Sequence, residues 1–510
     1  MFLDLHVGSI TEPLTGRRWD RLSIMSRCYE RIAYFEERGM RRFDRVFMQY
    51  GNNIEFFVDL ISIWSLGGCI IPVDPRLTIF EVETLARAAH PRFSLWDGAP
   101  DDAMLKALSS LGVQVLTSSD SPITGSSVTL SRNIGNNFTL DQEALILFTS
   151  GTTGSPKGVV HTHRSLLARW MSLRQSLGLA AYERTLCLLP THFGHGLICN
   201  CLFPWLSGLD LYILPPFKPE IIMQLGEILD KHGITFMSSV PTVWRLALKT
   251  ARPPQSRKLK RVFCGSAPLS GFLWESIKEW TGAEEVFNAY GITETGSWLA
   301  GTTVVKSAPE DGLIGEAWGG VVKVLKCSDT KDFPTAAHEC EPGNSGFVWV
   351  NTPALMKGYL ENEELTRKVV SQGWFFTGDI GFLDERGFLY LRGREREEIN
   401  KGGMKVYPGD IDAVIERFKE TLDVCTFGYE DTLLGENIGV AVVLKSKDDD
   451  TIRDLYDWTN HHLAKHQMPV RWYVIDEIPR SSRGKINRTD VAQKCTSLVA
   501  VDPRLFKRDG

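Results

Sequence analysis

Segments with the spacing of helices alternate with short apolar runs along the first third of the chain. Apolar residues recur at helical spacing over residues 19–38, and Gly39 ends that pattern. The run 69–73 has no polar interruption, which is typical of a strand buried on both faces of a parallel sheet. Because strands that alternate with helices pair in parallel through crossovers, this region predicts a doubly wound α/β sheet. The expected helices are 19–38, 55–66, 79–89 and 102–111, and the expected strands are 69–73, 93–96 and 113–116.

From Gly315 the pattern changes to short strands and turns. Residues 321–325 and 347–350 are strand-like, and residues 382–391 have the pattern of a hairpin. A charged connector follows Arg394, and a smaller segment of mixed helices and strands comes after it. A chain of 510 residues is too long for one compact domain, so we expect a domain boundary at this connector.

Composition excludes several classes of protein. The net charge of −5 provides no general basic field, so the main partner is not expected to be a nucleic acid. The 10 cysteines include no C-x-x-C pair, which predicts reduced thiols and a cytoplasmic protein. The nearest two, Cys199 and Cys201, are expected on one face of a strand. We expect no signal peptide, because the N-terminus lacks a basic start followed by a continuous apolar core, and no membrane span, because no run approaches about 18 apolar residues.

The most informative segment is a loop rich in glycine and hydroxyl groups. It reads TSGTTGSPKGVV from Thr149 and follows an apolar run. Glycines let the backbone approach a ligand, hydroxyls add hydrogen-bonding groups, and Lys157 adds charge, a combination suited to phosphate oxygens. The Walker pattern fails, because Pro156 and Gly158 stand where it needs Gly and Ser or Thr. Apolar strands on both sides argue against a flexible linker, so we predict a phosphate loop of a different kind.

This loop, as TSGTTGSPKGV, resembles the signature of the adenylate-forming (ANL) superfamily. Its members include acyl- and aryl-CoA ligases, peptide-synthetase adenylation domains and firefly-type luciferases. Five further motifs stand in the family's order and make the resemblance specific between about Phe43 and Arg488. They read LGGCIIPVDP from Leu66, NAYGITET from Asn288, GWFFTGD from Gly373, Gly393-Arg394 with Lys401-Gly402-Gly403, and PRSSRGKI from Pro479.

The resemblance implies a fold and a two-step reaction. The large N-terminal domain, 1–393, would combine doubly wound sheets with a distorted β-barrel, and a small mobile α+β domain, 394–510, would follow. A carboxylic acid would react with ATP and Mg²⁺ to give an acyl-adenylate and pyrophosphate. The acyl group would then pass to coenzyme A. The small domain would rotate between the steps about Arg396, where the family usually has Asp or Lys.

The resemblance also implies the roles of individual residues. Thr293 would hydrogen-bond the α-phosphate, Glu294 would hold Mg²⁺, and Lys485 would bridge the acyl carboxylate and the phosphate. The β- and γ-phosphates would contact Thr149, Ser150, Gly151, Thr152, Thr153, Gly154 and Lys157. Adenine and ribose would contact Ser266, Ala267, Pro268, Asn288, Ala289, Tyr290, Gly291, Asp379 and Arg394, with Tyr290 stacked on adenine. The thiol arm would pass Lys401, Gly402 and Gly403.

The family position of the acyl pocket predicts its walls but not its substrate. The expected walls are Phe193, His195, Val240, Gly265, Trp298 and Leu299. Relatives that activate amino acids place an Asp in the stretch equivalent to 191–196, and this chain has none there. Trp298 stands where small residues would leave a long tunnel. We therefore expect a small carboxylic acid, aromatic or of short to medium length, and not an α-amino acid.

Two alternatives remain open for the acceptor, and other classes are disfavoured. The acceptor is free coenzyme A or, alternatively, the phosphopantetheine of a carrier protein acting in trans, or an amine. A silent scaffold is disfavoured because Lys485, Glu294 and Asp379 are intact. No G-x-S-x-G occurs, so a hydrolase nucleophile is missing. The oligomeric state is left open.

Histidine pairs in the sequence lack the context of a metal site. His192 with His195, and His462 with His466, have no H-E-x-x-H pattern or cysteine pair beside them, so zinc is not expected. The pair that follows the loop, His161 and His163, is interpreted as structural.

Overall fold

The computed structural model of the chain describes residues 6–120, 139–149, 156–302, 308–326, 338–481 and 485–505. The helices and strands expected over the first third are confirmed, with ends that differ by two residues or fewer. The strands are β1 (Ile10–Thr11), β2 (Arg18–Trp19), β3 (Arg45–Gln49), β4 (Cys69–Pro72), β5 (Phe93–Trp96), β6 (Gln114–Thr117), β7 (Glu143–Thr149), β8 (Lys157–Thr162), β9 (Arg184–Cys187), β10 (Asp210–Ile213), β11 (Phe236–Ser239), β12 (Arg261–Gly265), β13 (Glu285–Ile292), β14 (Ser297–Gly301), β15 (Leu313–Ala317), β16 (Val321–Leu325), β17 (Gly346–Asn351), β18 (Gly358–Tyr359), β19 (Val370–Ser371), β20 (Trp374–Leu383), β21 (Leu389–Arg394), β22 (Ile399–Lys401), β23 (Met404–Val406), β24 (Thr421–Asp431), β25 (Gly435–Leu444) and β26 (Arg471–Val474). The helices are α1 (Arg21–Glu37), α2 (Ile54–Ser65), α3 (Ile79–Ala89), α4 (Asp102–Ser110), α5 (His163–Leu177), α6 (Phe203–Trp205), α7 (Pro219–Met223), α8 (Leu225–His232), α9 (Pro241–Thr250), α10 (Gly271–Thr281), α11 (Glu363–Val369), α12 (Pro408–Glu416), α13 (Asp449–His462) and α14 (Arg488–Thr496).

The first sheet contains the elements that carry the glycine-rich loop. Its strand order is β18-β8-β7-β4-β3-β5-β6, with parallel pairing from β7 to β6 and antiparallel pairing between β7 and β8. Helix α2 is buried on almost every side, with Glu55 as its one residue that is not buried. A helix with the apolar sequence of α2 is stable only when it is enclosed by other elements.

The long sheet brings several predicted site residues to one edge. Strands β9 to β13 are parallel, and β11, β12 and β13 lie side by side. The chain leaves these three strands at their carboxyl ends, which is where ligands bind in open α/β sheets. Beyond β13 the sheet continues antiparallel through β14, β15, β21, β20, β17 and β16, the region in which a distorted barrel is expected.

The C-terminal region, Ile399 to Leu505, has its own sheet of β22 to β26 and its own apolar clusters. Within the described ranges, every apolar cluster lies wholly on one side of Arg394. Ion pairs connect the two sides. Arg245 on α9 lies 2.6 Å from Glu416 on α12, and Arg417 pairs with Asp311. The domain boundary at residue 394 stays a prediction.

One expectation about local structure was wrong. Cys199 and Cys201 lie in a π-helical segment, His195–Leu202, and not in a strand. Periodicity alone cannot distinguish a short buried strand from a buried helical turn when the run is apolar throughout. Where the structure describes the chain, each helix is too short or too polar to cross a bilayer.

A buried ion pair joins the first two helices. Arg31 on α1 donates to both carboxylate oxygens of Asp59 on α2, at 2.6 and 2.8 Å. Their side chains are 9% and 2% exposed. Tyr50 also donates to Asp59, and Arg31 donates to the Asp120 carbonyl at 2.7 Å. The polar atoms of both charged side chains are therefore hydrogen-bonded, as a stable buried ion pair requires.

We expect Asp59→Ala to lower the free energy of unfolding by about 3–5 kcal/mol, because it leaves the Arg31 charge buried without its partner. Urea denaturation monitored by tryptophan fluorescence measures the loss. Asp141→Ala is the matched control, since it breaks an exposed pair with Arg164 and should cost far less. Equal losses for the two variants would contradict this account of the Arg31–Asp59 pair.

Candidate active site

The turn that follows β13, residues 293–296, is fixed through all four of its carbonyl groups. A short 3₁₀ segment, Thr293–Thr295, leads into Gly296, whose φ of 71° suits glycine. In chain order, the carbonyls accept hydrogen bonds from His161 Nε2 (2.8 Å), the Met356 amide (2.7 Å), Arg169 Nη2 (2.8 Å) and Cys199 Sγ (3.4 Å). We call residues 293–296 the clamped turn. Its backbone position is set by four separate parts of the fold.

Arg169 is a fully buried cation behind this turn, and the sequence reasoning missed it. Its guanidinium donates to the Thr295 carbonyl and, at 2.7 Å, to the Trp318 carbonyl. Among the ion pairs of the described ranges, none involves Arg169. Burial lowers the pKa of Arg169 to about 10, so the group stays charged at neutral pH. A buried positive charge acts through a low dielectric and therefore favours an anion at the turn.

Glu294 and Lys157 meet at one tyrosine that the motifs did not identify. Tyr359 donates its hydroxyl hydrogen to Glu294 Oε1 at 2.8 Å. Lys157 Nζ lies 5.8 Å from the centroid of the same ring, within cation–π range. Burial, followed by the Glu294 carboxylate, raises the pKa of Tyr359. Thus Tyr359 contacts both the predicted metal ligand and the predicted phosphate-binding lysine.

The glycine-rich loop joins two antiparallel strands. Thr149 ends β7 and pairs with Lys157, which begins β8. Thr149 Oγ1 lies 3.5 Å from the Lys157 carbonyl. Five of the predicted loop residues lie outside the described residues, namely Ser150, Gly151, Thr152, Thr153 and Gly154.

The residues predicted to bind adenine and ribose gather at the carboxyl ends of neighbouring strands. Ser266, Ala267 and Pro268 follow β12, while Asn288 to Gly291 belong to β13, and Gly265 pairs with Ala289. Ser266 has a φ of 67°, which is uncommon for a residue with a side chain. The structure therefore brings both groups to one edge, but a stacking role for Tyr290 stays a prediction.

Asp379 is buried between two partners. Tyr290 donates its hydroxyl hydrogen to Asp379, and Arg394 Nε lies 2.9 Å from Asp379 Oδ1. Burial, followed by the Asp379 charge, raises the pKa of Tyr290, and the Asp379 charge also raises that of Arg394. These two contacts fix the position of the Asp379 carboxyl group, whose oxygens are suited to accept hydrogen bonds from two hydroxyl groups.

His195 forms the polar centre of the predicted acyl pocket. Its Nδ1 lies 2.8 Å from Ser266 Oγ, and its Nε2 lies 2.5 Å from Ser238 Oγ. Ser238 was not identified from the sequence. Burial, together with the Lys485 charge, lowers the pKa of His195 to about 3. The imidazole is therefore neutral at any physiological pH.

Two aromatic rings and one lysine lie near this histidine. The His195 ring centroid lies 5.9 Å from that of Phe193 and 5.5 Å from that of Trp298. Lys485 Nζ lies 5.7 Å from the Phe193 centroid, so the C-terminal lysine reaches the pocket. Phe193, Val240 and Trp298 share one apolar cluster.

Two predicted pocket residues are placed differently from the others. Leu299 packs in another cluster, with Tyr290 and Val348, because neighbouring residues of β14 point to opposite faces. Trp298 and Leu299 therefore face different clusters, and the role of Leu299 as a pocket wall stays a prediction. Position 265 needs glycine for a structural reason, because a Cβ there would lie 2.1 Å from the Ala289 carbonyl oxygen.

The residues predicted to guide the thiol lie on the C-terminal sheet. Lys401 donates to the Met468 carbonyl at 3.3 Å, and the Gly402 amide donates to Leu434 at 2.9 Å. Gly402 and Gly403 have φ values of 60° and 87°. Arg396, the predicted hinge, sits in a 3₁₀ turn, where burial, followed by the Arg394 charge, lowers its pKa. The structure brings Lys485 to Phe193 of the predicted acyl pocket, while the hydrogen bonds described for the 401–403 loop end within the C-terminal region.

A hard cation would need ligands beyond those of the protein. In the ranges that the structure describes, no three His, Cys, Asp or Glu side chains are grouped to hold a metal ion. Glu294, within the clamped turn, offers a half-buried carboxylate. Mg²⁺ is typically held by one or two carboxylates, with phosphates and water completing its octahedron. The arrangement therefore fits Mg²⁺ that arrives with a nucleotide.

The chain is similar to known proteins over most of its length. Residues 25–360 match the family model described as AMP-binding enzyme, and residues 410–485 match the AMP-binding enzyme C-terminal domain. The oxalate–CoA ligase of Arabidopsis thaliana is 28% identical over 472 residues, covering 89% of each chain. The 2-succinylbenzoate–CoA ligase of Bacillus pumilus is 33% identical over 365 residues, covering 71% of each. The crystal structure of ATP-bound MatB from Rhodopseudomonas palustris gives a TM-score of 0.84, at 25% identity over 96% of both chains.

We expect stability to fall as the pH drops from about 6.5 towards 4. Burial lowers the pKa of His161 to about 4 and those of His163 and His195 to about 3, whereas the unfolded chain binds these protons near pH 6.5. Stability is therefore full above pH 6.5, and each histidine should lower it by roughly 1.4 kcal/mol at pH 5.5. His163→Phe, which keeps an aromatic ring against Trp64, should lose roughly 1.4 kcal/mol less between pH 7.5 and 5.5 than the native chain. Urea denaturation at the two pH values tests this, and an unchanged difference would contradict it.

Proposed function

Because the chain belongs to the AMP-binding enzyme family, within the adenylate-forming superfamily, we propose that it is an ATP-dependent acid–thiol ligase of the acyl-CoA synthetase type. It forms an acyl-adenylate with release of pyrophosphate and then transfers the acyl group to coenzyme A. The observation that carries the proposal is the meeting of Lys485 with the acyl pocket at Phe193 and His195. The position of this lysine beside Phe193 is explained if the carboxylate of the substrate acid reacts next to it.

The first step joins two anions, so positive charge must stand where they meet. The carboxylate oxygen of the acid attacks the α-phosphorus, and the bond from that phosphorus to the bridging oxygen breaks as pyrophosphate leaves. Lys485 would neutralise the carboxylate and the α-phosphate together. Thr293 would orient the α-phosphate from the clamped turn, with the Arg169 charge behind it.

Glu294 fits the place of a metal ligand. Mg²⁺ would neutralise phosphate oxygens and assist the departure of pyrophosphate. Lys157 would add a second positive charge at the β- and γ-phosphates. Asp379 would accept hydrogen bonds from the two ribose hydroxyls, while Arg394 and Tyr290 hold its carboxylate in position.

The acyl pocket favours an acid with one carboxylate and an uncharged tail. His195 is neutral, and Phe193, Val240, Gly265 and Trp298 carry no charge. Lys485 is committed to the reacting carboxylate, so a second carboxylate would find no cation among these walls and would be buried at high cost. Trp298 limits the depth of the pocket. We propose a small monocarboxylic acid, aromatic or of short to medium length.

The acceptor in the second step is proposed to be free coenzyme A. Its thiol would attack the carbonyl carbon of the acyl-adenylate, and AMP would leave. Lys401, Gly402 and Gly403 would guide the pantetheine arm after the C-terminal region has moved about Arg396. The carrier-protein and amine acceptors, like the cytoplasmic location, stay predictions from the sequence.

A panel of carboxylic acids tests the substrate and the acceptor. Pyrophosphate release is measured for each acid with and without coenzyme A, and products are identified by mass spectrometry. Monocarboxylic acids should give acyl-CoA, while oxalate and succinylbenzoate, each with two carboxylates, should give at least tenfold lower kcat/KM. Pyrophosphate release that never yields an acyl-CoA would instead favour a carrier protein or an amine. Equal activity with dicarboxylic acids would contradict the proposed substrate class.

We expect Lys485→Ala to lower acid-dependent ATP–pyrophosphate exchange at least a hundredfold. The adenylation step would then lack the positive charge that the Lys485 ammonium group places between the two anions. Thioester formation from acyl-adenylate supplied directly should remain near the native rate. Lys405→Ala is the control, since Lys405 is an exposed lysine of the C-terminal region that pairs with Glu398. Equal loss of both half-reactions in Lys485→Ala would refute its assignment to the first step.

A further inference from the structure

Tyr359 belongs to a short segment that is fastened to the glutamate and to the loop strand. The Met356 amide donates to the Glu294 carbonyl at 2.7 Å. The Lys357 and Leu360 amides donate to the carbonyls of Val160 and Gly158, at 2.8 and 2.7 Å. Tyr359 itself pairs with Val159, as β18 meets β8. The segment therefore has a fixed position relative to both Glu294 and Lys157.

The same segment holds Glu294 twice. Met356 fixes the Glu294 backbone, and the Tyr359 hydroxyl fixes the side chain through Oε1 at 2.8 Å. A single hydrogen bond to a carboxylate oxygen restricts the rotation of the terminal carboxylate and of the bonds that lead to it. Tyr359 thus selects one orientation of the carboxylate without requiring a charged partner.

Lys157 contacts the face of the ring whose edge carries this hydroxyl. The distance from Nζ to the ring centroid is 5.8 Å, whereas the hydroxyl donates its hydrogen to Glu294 Oε1. The ring and the hydroxyl can therefore be removed separately, by Tyr359→Leu and Tyr359→Phe. No motif in the sequence assigns either contact to Tyr359.

We propose that Tyr359 is a positioning residue that aims the Glu294 carboxylate at the Mg²⁺ of MgATP and holds Lys157 beside the same phosphates. This inference rests on the proposed function. The hydroxyl acts through Glu294 and therefore affects only the binding of nucleotide that carries Mg²⁺. The ring acts through Lys157 and therefore affects the binding of the phosphates whether or not Mg²⁺ is present.

The test is equilibrium binding of α,β-methylene-ATP, which cannot release pyrophosphate, measured by calorimetry in Mg²⁺ and in EDTA. Tyr359→Phe should weaken binding roughly tenfold in Mg²⁺ and leave binding in EDTA unchanged, because it removes one hydrogen bond to a charged group. Tyr359→Leu should weaken binding in both conditions. In a Glu294→Gln background, Tyr359→Phe should have no further effect.

Tyr390→Phe is the matched control. The Tyr390 hydroxyl also donates to a carboxylate oxygen, Glu310 Oε2, at 3.1 Å. Tyr390 lies on β21 and does not belong to the segment that holds Glu294. This variant should bind the analogue as the native chain does in both conditions. Circular dichroism and thermal unfolding of every variant establish that it is folded before it is compared.

Two results would overturn the inference while leaving the proposed function intact. One is native-like binding by Tyr359→Phe in Mg²⁺, and the other is an equal loss in Mg²⁺ and EDTA, which indicates a general structural effect. If the native chain does not bind the analogue in either condition, the proposed function fails and the inference fails with it. Weaker binding by Tyr359→Phe in Mg²⁺ but not in EDTA, with native-like binding by Tyr390→Phe in both, would support the inference.

Discussion

The four carbonyl contacts of the clamped turn connect parts of the molecule that belong to different sheets. His161 lies on β8 of the first sheet, whereas the turn lies between β13 and β14 of the long sheet. The hydrogen bond from His161 to Thr293 therefore fixes the glycine-rich hairpin relative to the strands that carry the predicted adenine site. Arg169 extends the same connection to α5 and to Trp318. A nucleotide bound at the predicted sites would need its phosphates and adenine at a constant separation, and these contacts would set that separation.

Charge is distributed unevenly around this turn. Cations lie next to the turn, whereas the predicted acyl pocket is uncharged. A buried cation, Arg169, lies behind it, and Lys485 approaches from the C-terminal region in front. The acyl pocket beside them is polar but neutral, because burial suppresses protonation of His195. Positive charge is thus confined to the place where phosphates and the reacting carboxylate would meet. The tail of the proposed acid would therefore be recognised by shape and by hydroxyl groups.

The sequence predicted what is local or carried by a motif, and it missed what depends on distant contacts. Helices and strands of the first third followed from periodicity, and the motifs identified Thr293, Glu294 and Asp379. Arg169 was missed, although it stands at a core-facing position of α5 between Leu166 and Leu173, and an arginine at such a position is a usable signal. Ser238 and Tyr359 gave no such signal, since their partners lie 43 and 65 residues away. The sequence also did not show that Leu299 and Trp298 pack in different clusters, which follows because one step along a strand reverses the face.

The separation of the apolar clusters at Arg394 bears on how the proposed movement of the C-terminal region would affect solubility. The C-terminal region meets the rest of the chain through charged pairs such as Arg245–Glu416, and no apolar cluster within the described ranges crosses between the two. If the C-terminal region rotates between the two steps, as proposed, these pairs would separate and their charges would return to water. The movement would then break no apolar cluster, so it would not create an apolar surface through which copies of the protein aggregate.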